Sequence, residues 1–509
     1  MWQGSSVVLT VLAAVLGLGV TAVVLLGVFF YWLYRVDTGA RQSTSRPWSE
    51  YEATIPQGKK LTFALFYWGS RGDFQPLAVL AQHLKRAGHS VIINVRELNL
   101  QAALSLGLRE GELFLQEDDH TEDVLTPQLQ GQQGPKMLYY LYRHITHHSP
   151  SYLKQLNAML ERSKADVLIV NEFAANLGCQ AAEKHRLPMF IFRYTPLFMA
   201  TTSWLCPLFG KSDRGSFINW LSYTLPFFIR LYLERPVMRQ LRELHGLKPR
   251  SMLSYAFGRT HWQFPSLQGF SSLLMPVPEK DMPRWYFNPG PLLPPAQEET
   301  EAVPPALSTF LQENPAGQPV IYIGFGSFSL KQFLPRHQAE QAARDMLEAV
   351  QDLGIRAVLL KHTFEFMIDD PLLKNPQWYI GERFPHSWLF PRVSAIVHQA
   401  GAGHCAASAR SGTPTIAIPI FEEQDFNASA LVSAGVAVKL RIQDLSRESF
   451  RKAFEEALRL AGQARTVGEQ LEGQVQHSGS IAVSGIMKWL GEEQGGSGGA
   501  SGPYAHTRS

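Results

Sequence analysis

The stretch Pro385 to Val436, PHSWLFPRVSAIVHQAGAGHCAASARSGTPTIAIPIFEEQDFNASALVSAGV, restricts the fold more than any other part of the chain. The apolar run Ser394 to Val397 ends in His398, Gly401-Ala402-Gly403 opens a short segment closed by Gly412, and a second apolar run, Thr415 to Ile420, leads into Glu422-Glu423-Gln424. That order predicts strand, glycine-rich turn, helix, strand, loop, helix. Small residues let backbone approach an anion, and the free N–H groups and dipole of a helix start favour negative charge there. His398 stands where it can add a donor, and Glu423 with Gln424 offers acceptors and an amide to sugar hydroxyls. A nucleotide sugar would satisfy both halves. A glycine-rich turn occurs in every doubly wound domain and means little alone; the order of the parts is what is specific.

That order resembles the donor-binding signature of the inverting, UDP-sugar-dependent glycosyltransferases. It is most similar to the branch of sterol glucosyltransferases and of glycosyltransferases from bacterial macrolide and glycopeptide pathways, with the pattern PHxWLFPRVxxVVHHGGAGTT, then AGVPxxxxPxFxDQ. The resemblance implies that His386 lies near the uracil and ribose. It implies His398, Gly401, Ala402, Gly403 and His404 at the diphosphate, and Glu423 with Gln424 at the sugar. The chain departs from the pattern at Ala400 (glycine there), at His404 (a hydroxyl residue) and at Glu423 (aspartate). Ala400 adds a methyl group, and His404 still offers an N–H donor. These departures leave a second reading open, a degenerate sugar-nucleotide-binding or scaffold protein of the same fold.

At 509 residues, 45% hydrophobic and 18% charged, the chain is long enough for two globular domains and a further segment. The formal charge of +3 gives no reason to expect nucleic acid as a partner. Cys179, Cys206 and Cys405 are odd in number and far apart, so neither a disulfide framework nor a zinc spacing is present, which fits a reducing compartment.

From Val7 to Tyr34 no residue is charged, about 28 residues that as helix would extend about 42 Å against a hydrocarbon core of about 30 Å. Phe29, Phe30, Tyr31, Trp32 and Tyr34 crowd its end as an interfacial aromatic belt would. A cleaved signal peptide has a shorter apolar core and a basic start, and no Lys or Arg precedes Val7. Arg35, Arg41, Arg46, Lys59 and Lys60 follow the run, so the positive-inside rule expects a single-pass anchor over residues 1–35 with the catalytic domains in the cytosol. Residues 36–59 read as a tether.

The apolar run Leu61 to Trp68 turns through Gly69-Ser70-Arg71-Gly72-Asp73-Phe74-Gln75-Pro76 into a segment with Leu77, Leu80, Ala81, Leu84 and Ala87 at helical spacing, stopped by Gly88; Val91 to Val95 follows as strand. The loop of such a β-α-β unit lies at the carboxyl edge of its sheet, where ligands bind. GSRGDFQP resembles GSRGDVQP of the same branch, and the resemblance implies that Asp73 is the general base for the acceptor hydroxyl. Taken alone, Asp73 reads as a helix cap. His144, His147 and His148 could share a helical face, but without a carboxylate pattern they read as solvated. Ala165 to His185 and Pro188 to Phe192 read as strand, helix, strand, similar to the family's acceptor domain. Leu197 to Arg235, rich in aromatic residues and leucine, is either helical core or the wall of an apolar acceptor cleft.

Leu292 to Pro305, LLPPAQEETEAVPP, reads as a linker. Beyond it Val320 to Phe325 starts a second α/β unit whose turn GFGSFS lacks the third glycine of a dinucleotide fingerprint and a ribose-binding acid, which weakens a dehydrogenase reading. VIYIGFGSFS resembles VYVGFGSM of the family, which implies Ser327 at the diphosphate. Where relatives often carry a GW pair, this chain has Lys361-His362-Thr363-Phe364.

The resemblance covers Lys60 to Leu490 and implies GT-B: two Rossmann-like doubly wound α/β domains facing across a cleft, here preceded by one transmembrane helix. The expected domains are 60–291 for the lipophilic acceptor and 306–490 for the UDP-sugar, with 292–305 between them and a low-complexity tail, 491–509. No Asp-x-Asp occurs in the chain, so no metal and no resident cofactor is expected, the UDP-sugar being a co-substrate.

Overall fold

The computed structural model describes residues 27–35, 60–69, 71–117, 135–196, 201–206, 212–250, 264–275, 286–294, 303–314, 316–326 and 328–491. Two parallel sheets organise them. The first has the strand order β3-β2-β1-β4-β5-β6-β7. Its members are β1 (Thr62–Phe66), β2 (Ser90–Val95), β3 (Leu113–Leu115), β4 (Val167–Asn171), β5 (Met189–Arg193), β6 (Ser266–Gln268) and β7 (Tyr286–Phe287). The second runs β10-β9-β8-β11-β12-β13, with β8 (Val320–Ile323), β9 (Arg356–Leu360), β10 (Trp378–Gly381), β11 (Ala395–His398), β12 (Thr415–Ala417) and β13 (Ala437–Lys439). TFALF, VLIVN, MFIFR and AIVH are near-continuous apolar runs because strands of a parallel sheet are covered on both faces. Each sheet has its own apolar core.

In each sheet the winding direction reverses once, between β1 and β4 and between β8 and β11. An open α/β sheet forms a crevice for ligands at the carboxyl end of such a switch point. The segments following those four strands carry Asp73, Glu172, Gly324 to Gly326, and Gln399 to Gly401. Helix α1 (Arg71–Arg86) starts at the first switch point and the short helix α6 (Ala402–Arg410) at the second. Between them in sequence come α2 (Pro135–Ser163), α3 (Ala175–His185), α4 (Ser216–Leu244) and α5 (Arg336–Asp352); α7 (Glu422–Ser433), α8 (Arg447–Arg459) and α9 (Ala461–Gly491) follow.

The last helix crosses between the domains. Ala482, Val483, Ile486 and Leu490 of α9 join the core of the first sheet with Phe287 and Leu292. The Ser271 hydroxyl donates to Gln474 at 2.7 Å. Side chains at 479 and 485 would collide with His83 and Phe287, so glycine there lets the helix lie flat on its neighbour. A boundary at Leu490 therefore does not separate the two cores: the end of the second domain in sequence belongs to the first in space.

The expected anchor falls on residues 1–26, which lie outside the described residues, and on residues 27–35, which are helical. Among the described residues no helix is long and apolar enough to cross a membrane. The tether, residues 492–509 of the tail and residues 295–302 of the linker are likewise outside them, whereas Gly491 ends α9. The stretch Leu197 to Arg235 is divided by the structure: Trp220 and Tyr223 are buried, whereas Ile218, Leu225, Ile229, Tyr232 and Leu233 are exposed.

Candidate active site

β11 ends in His398, which is fully buried. Its Nδ1 accepts the Ala400 N–H at 2.9 Å, and its Nε2 pairs with the Ser408 hydroxyl at 3.1 Å. That hydroxyl donates onward to the Cys405 carbonyl at 3.3 Å, so the ring is the neutral Nε2–H tautomer. Burial, with His404 adding to it, holds its pKa well below the ordinary value. Expected as an outward donor, His398 has both nitrogens engaged inside the turn and braces the start of α6.

Ala400 occupies the position where the family pattern has glycine, and it is left-handed, with φ 62°. A side chain in that region costs roughly 1–2 kcal/mol. The position is held by the His398 bond and by Asn427, whose amide donates to the Ala400 carbonyl at 3.0 Å. Gly401 caps α6 in extended conformation. A methyl group on Gly403 would lie 3.8 Å from the Gly72 Cα, so the starts of α1 and α6 touch across the cleft.

His404, in the first turn of α6, leans over the turn after β8. The left-handed Gly326 admits no Cβ there, because it would lie 2.9 Å from His404 Cε1. The Nε2 of His404 and the Oε1 of Gln399 are buried without a protein partner. The His404 pKa is lowered to about 4 by burial, with Arg71 of the first domain adding to it, so the ring is neutral at physiological pH. His386 opens a four-residue helical turn, stacks on Phe390 at 4.3 Å and lies 5.0 Å from His404, ring to ring. Its pKa is likewise held well below normal by burial, then by His404, Arg71 and His398. Ser327 lies outside the described residues. Thr363, within the sequence that replaces the GW pair, accepts the Phe325 N–H at 3.0 Å and so supports the turn after β8.

The sugar-side pair sits at the start of α7. Gln424 is buried, its Oε1 accepting from the Ile420 N–H at 2.9 Å and the Phe421 N–H at 3.4 Å, so one end of the amide fixes the approach to the helix. Glu423 accepts from Asn427 at 3.3 Å, and burial raises its pKa.

On the acceptor side, Asp73 lies in the first turn of α1, and the Tyr194 hydroxyl donates to its backbone carbonyl at 2.6 Å. Its carboxylate folds over Gly69, where a Cβ would be only 2.3 Å from Oδ2. Glycine at 69 is therefore required for the carboxylate to sit as it does.

Two residues that sequence reasoning passed over complete the cleft. Glu172 follows β4 directly; its Oε2 lies 3.6 Å from Arg193 Nη1, and the Tyr194 N–H donates to its Oε1 at 3.4 Å. Burial pushes its pKa up to about 7, Arg193 opposes this, and the charges of Glu423 and Asp73 add to it. Carboxylates of both domains are thus electrostatically coupled through Glu172. Tyr194 borders, with Gly72, Pro76, Phe270, Met275 and Ala402, a largely apolar cavity between the domains. Among the described residues no group of three or more His, Cys, Asp or Glu is placed to hold a metal ion.

Residues 385–462 match the family described as UDP-glucoronosyl and UDP-glucosyl transferase. The sterol 3-beta-glucosyltransferase of Kluyveromyces lactis is 27% identical over 454 residues, which cover 87% of this chain and 36% of that protein. The chain thus spans about a third of the length of the curated relatives it matches. Among solved structures, the glycotransferase of kitacinnamycin superposes with a TM-score of 0.60 at 17% identity, covering 85% of this chain and all of that one. The calicheamicin glycosyltransferase CalG4 superposes with a TM-score of 0.59 at 15% identity, covering 86% of this chain and all of that one. Residues 385–462 are thus similar to the UDP-sugar transferases, most of the chain is similar in sequence to sterol 3-beta-glucosyltransferases, and the fold is the GT-B fold of those solved glycosyltransferases.

Proposed function

We propose that this chain transfers a hexose, glucose from UDP-glucose, to a hydroxyl of a lipophilic acceptor such as a sterol, with inversion at the anomeric carbon. The observation that carries the reading is the meeting of two helix starts at Gly72 and Gly403, with Asp73 beside the one and His404 beside the other. Two positive helix ends brought together are favoured by an anion lying beside both. The buried, unpartnered His404 Nε2 supplies a further polar atom to the same place.

In this account the diphosphate lies against the α6 start, His404 and the turn carrying Ser327, with the uracil near His386 and the sugar near Glu423 and Gln424. The acceptor lies on the first-domain side of the cleft, with its hydroxyl at Asp73. The Asp73 carboxylate takes the hydroxyl proton, the acceptor oxygen forms its bond to the anomeric carbon, and the bond from that carbon to the phosphate oxygen breaks. UDP leaves with the electron pair, stabilised by the fixed donors of the second domain. No resident cofactor and no metal is part of this account.

The uncharged run Val7 to Tyr34 is proposed as a single-pass anchor, with the catalytic domains facing the cytosol. Asn427-Ala428-Ser429 is a glycosylation sequon, but Asn427 is fully buried. Protease protection in sealed microsomes, not glycan occupancy, is therefore the test of sidedness.

The function is tested by incubating the full chain with labelled UDP-glucose and sterol-containing vesicles, with and without EDTA. Labelled lipid in both is expected. UDP binding without transfer would identify a binding protein instead, and transfer lost in EDTA but restored by magnesium would overturn the metal-free account.

A further inference from the structure

We propose that the outer face of α4, together with residues 27–35, is a membrane-contact surface that seats the first domain on the lipid interface. Ile218, Leu225, Ile229 and Tyr232 are 45–64% exposed. At about 100° per residue, their spacing of 7, 4 and 3 places all four on one stripe of the helix, within about 60° of one another. Ordinary soluble surfaces scatter such residues singly, and a contiguous stripe marks an interaction site.

What covers the stripe follows from the segment packed next to it. Phe217, Trp220 and Phe228 lie on the adjoining face of α4 by the same arithmetic, and they hold residues 27–35 through edge-to-face contacts. Tyr31 and Tyr34 meet Phe217 at 5.8 and 5.7 Å, Tyr34 meets Trp220 at 5.5 Å, and Phe30 meets Phe228 at 5.9 Å. Beside the α4 stripe, Tyr31 and Trp32 are themselves more than half exposed. The same segment is the end of the uncharged run that begins at Val7. A run of that length and composition is a hydrocarbon-soluble segment, and it joins the protein beside the exposed stripe. The occupant we infer is therefore the acyl and headgroup boundary of the bilayer, not another protein.

The residues bordering the face agree. Arg35, Arg214 and Arg235 are exposed and follow Tyr34, precede α4 and follow Leu233 respectively. Tyrosine and tryptophan rings at an apolar face with flanking arginines are what an interface rich in anionic headgroups retains. The inference rests on the anchoring of Val7 to Tyr34 for its choice of partner but concerns a different surface. It gives the acceptor side of the cleft a fixed height above the membrane.

The test is made on the full chain in vesicles of phosphatidylcholine and phosphatidylserine, with an environment-sensitive dye at Tyr232→Cys, at Ala14→Cys or at Gln338→Cys. Cys206 and Cys405 are buried, and burial pushes the Cys179 thiol up to about 12, so the introduced thiol is the one that reacts. The expected result is a blue shift at 232 with loss of emission when lipids carrying a shallow spin label are used, the same loss with a deep label at 14, and neither at the exposed control 338. Loss at 14 but not at 232 would overturn the docking face while leaving the anchor. Loss at neither would overturn both. A blue shift at 232 that spin-labelled lipid does not quench would mean that protein, such as a second copy of the chain, covers the face, and would also overturn the proposal.

Discussion

The hydroxyl of Tyr194 donates to the backbone carbonyl of Asp73 at 2.6 Å, tying the residue after β5 to the first turn of α1. Tyr194→Phe removes that bond together with the hydroxyl's hydrogen-bond interaction with Asn171. A neutral hydrogen bond contributes about 0.5–1.5 kcal/mol, so a modest fall in the unfolding midpoint is expected. A larger proportional fall in turnover should accompany it, because Asp73 loses its support. Equal transfer rates for the variant and the parent would show that Asp73 is positioned without Tyr194.

His398 and His404 should respond differently to removal. His398→Ala leaves the Ala400 N–H unpaired in a buried turn, at about 1–3 kcal/mol, and takes from the Ser408 oxygen its donor while that hydroxyl keeps its bond to the Cys405 carbonyl. Lower stability and weaker UDP binding should therefore appear together. His404 uses its Nε2 on no protein atom. His404→Ala should leave the unfolding midpoint near its starting value and weaken UDP binding by about 1.5–3 kcal/mol, the value of a hydrogen bond to a charged group. Calorimetric titration with UDP beside thermal unfolding distinguishes the two. An unchanged Kd for His404→Ala would remove it from the diphosphate site.

Ala400→Gly tests whether the departure from the glycine pattern matters. Relief of left-handed strain is worth roughly 1–2 kcal/mol. Against it stand the greater chain entropy of glycine, about 0.5–1 kcal/mol, and the loss of a buried methyl group, about 0.8 kcal/mol. These nearly cancel, so stability within about 1 kcal/mol of the parent and unchanged UDP binding are expected. A large gain in affinity would mean that the methyl group obstructs the donor.

The pattern of what could be read from the sequence is physical. The β11-α6-β12 order was legible because apolar runs and glycines are local signals, and so was the turn carrying Asp73. Glu172 and Tyr194 were not, because each matters only through the strand order that sets β4 beside β1 and β5 beside β4. The available signal was position alone: each immediately follows, or lies one residue beyond, an apolar strand run. The crossing of α9 was hidden for a related reason. Gly479 and Gly485 look unremarkable in sequence, and only His83 and Phe287, distant in the chain, explain them. The sequence presents His398 as a donor because it cannot show that Ala400 and Ser408 take both of its nitrogens.

Glu172 makes stability pH-dependent. Its pKa rises from 4.5 in the unfolded chain to about 7 in the fold, so the folded state holds the proton more tightly. This contribution is fully present below about pH 4.5, falls as pH rises towards 7 and is lost above it. The difference is on the order of 3 kcal/mol. Glu172→Gln should flatten that part of the stability profile and raise stability at pH 8. A parallel profile in the variant would mean that folding leaves the Glu172 pKa unchanged.

The most direct measurement is turnover of Asp73→Asn with UDP-glucose and a sterol, made beside its UDP affinity and thermal stability. Asparagine keeps the shape and can cap the helix but cannot take a proton. A positioned base is worth about 10² to 10⁴ in rate, so transfer should fall in that range while UDP binding and stability stay near those of the parent. Near-normal turnover would contradict the account, leaving Asp73 as a helix cap and the cleft without its proposed base.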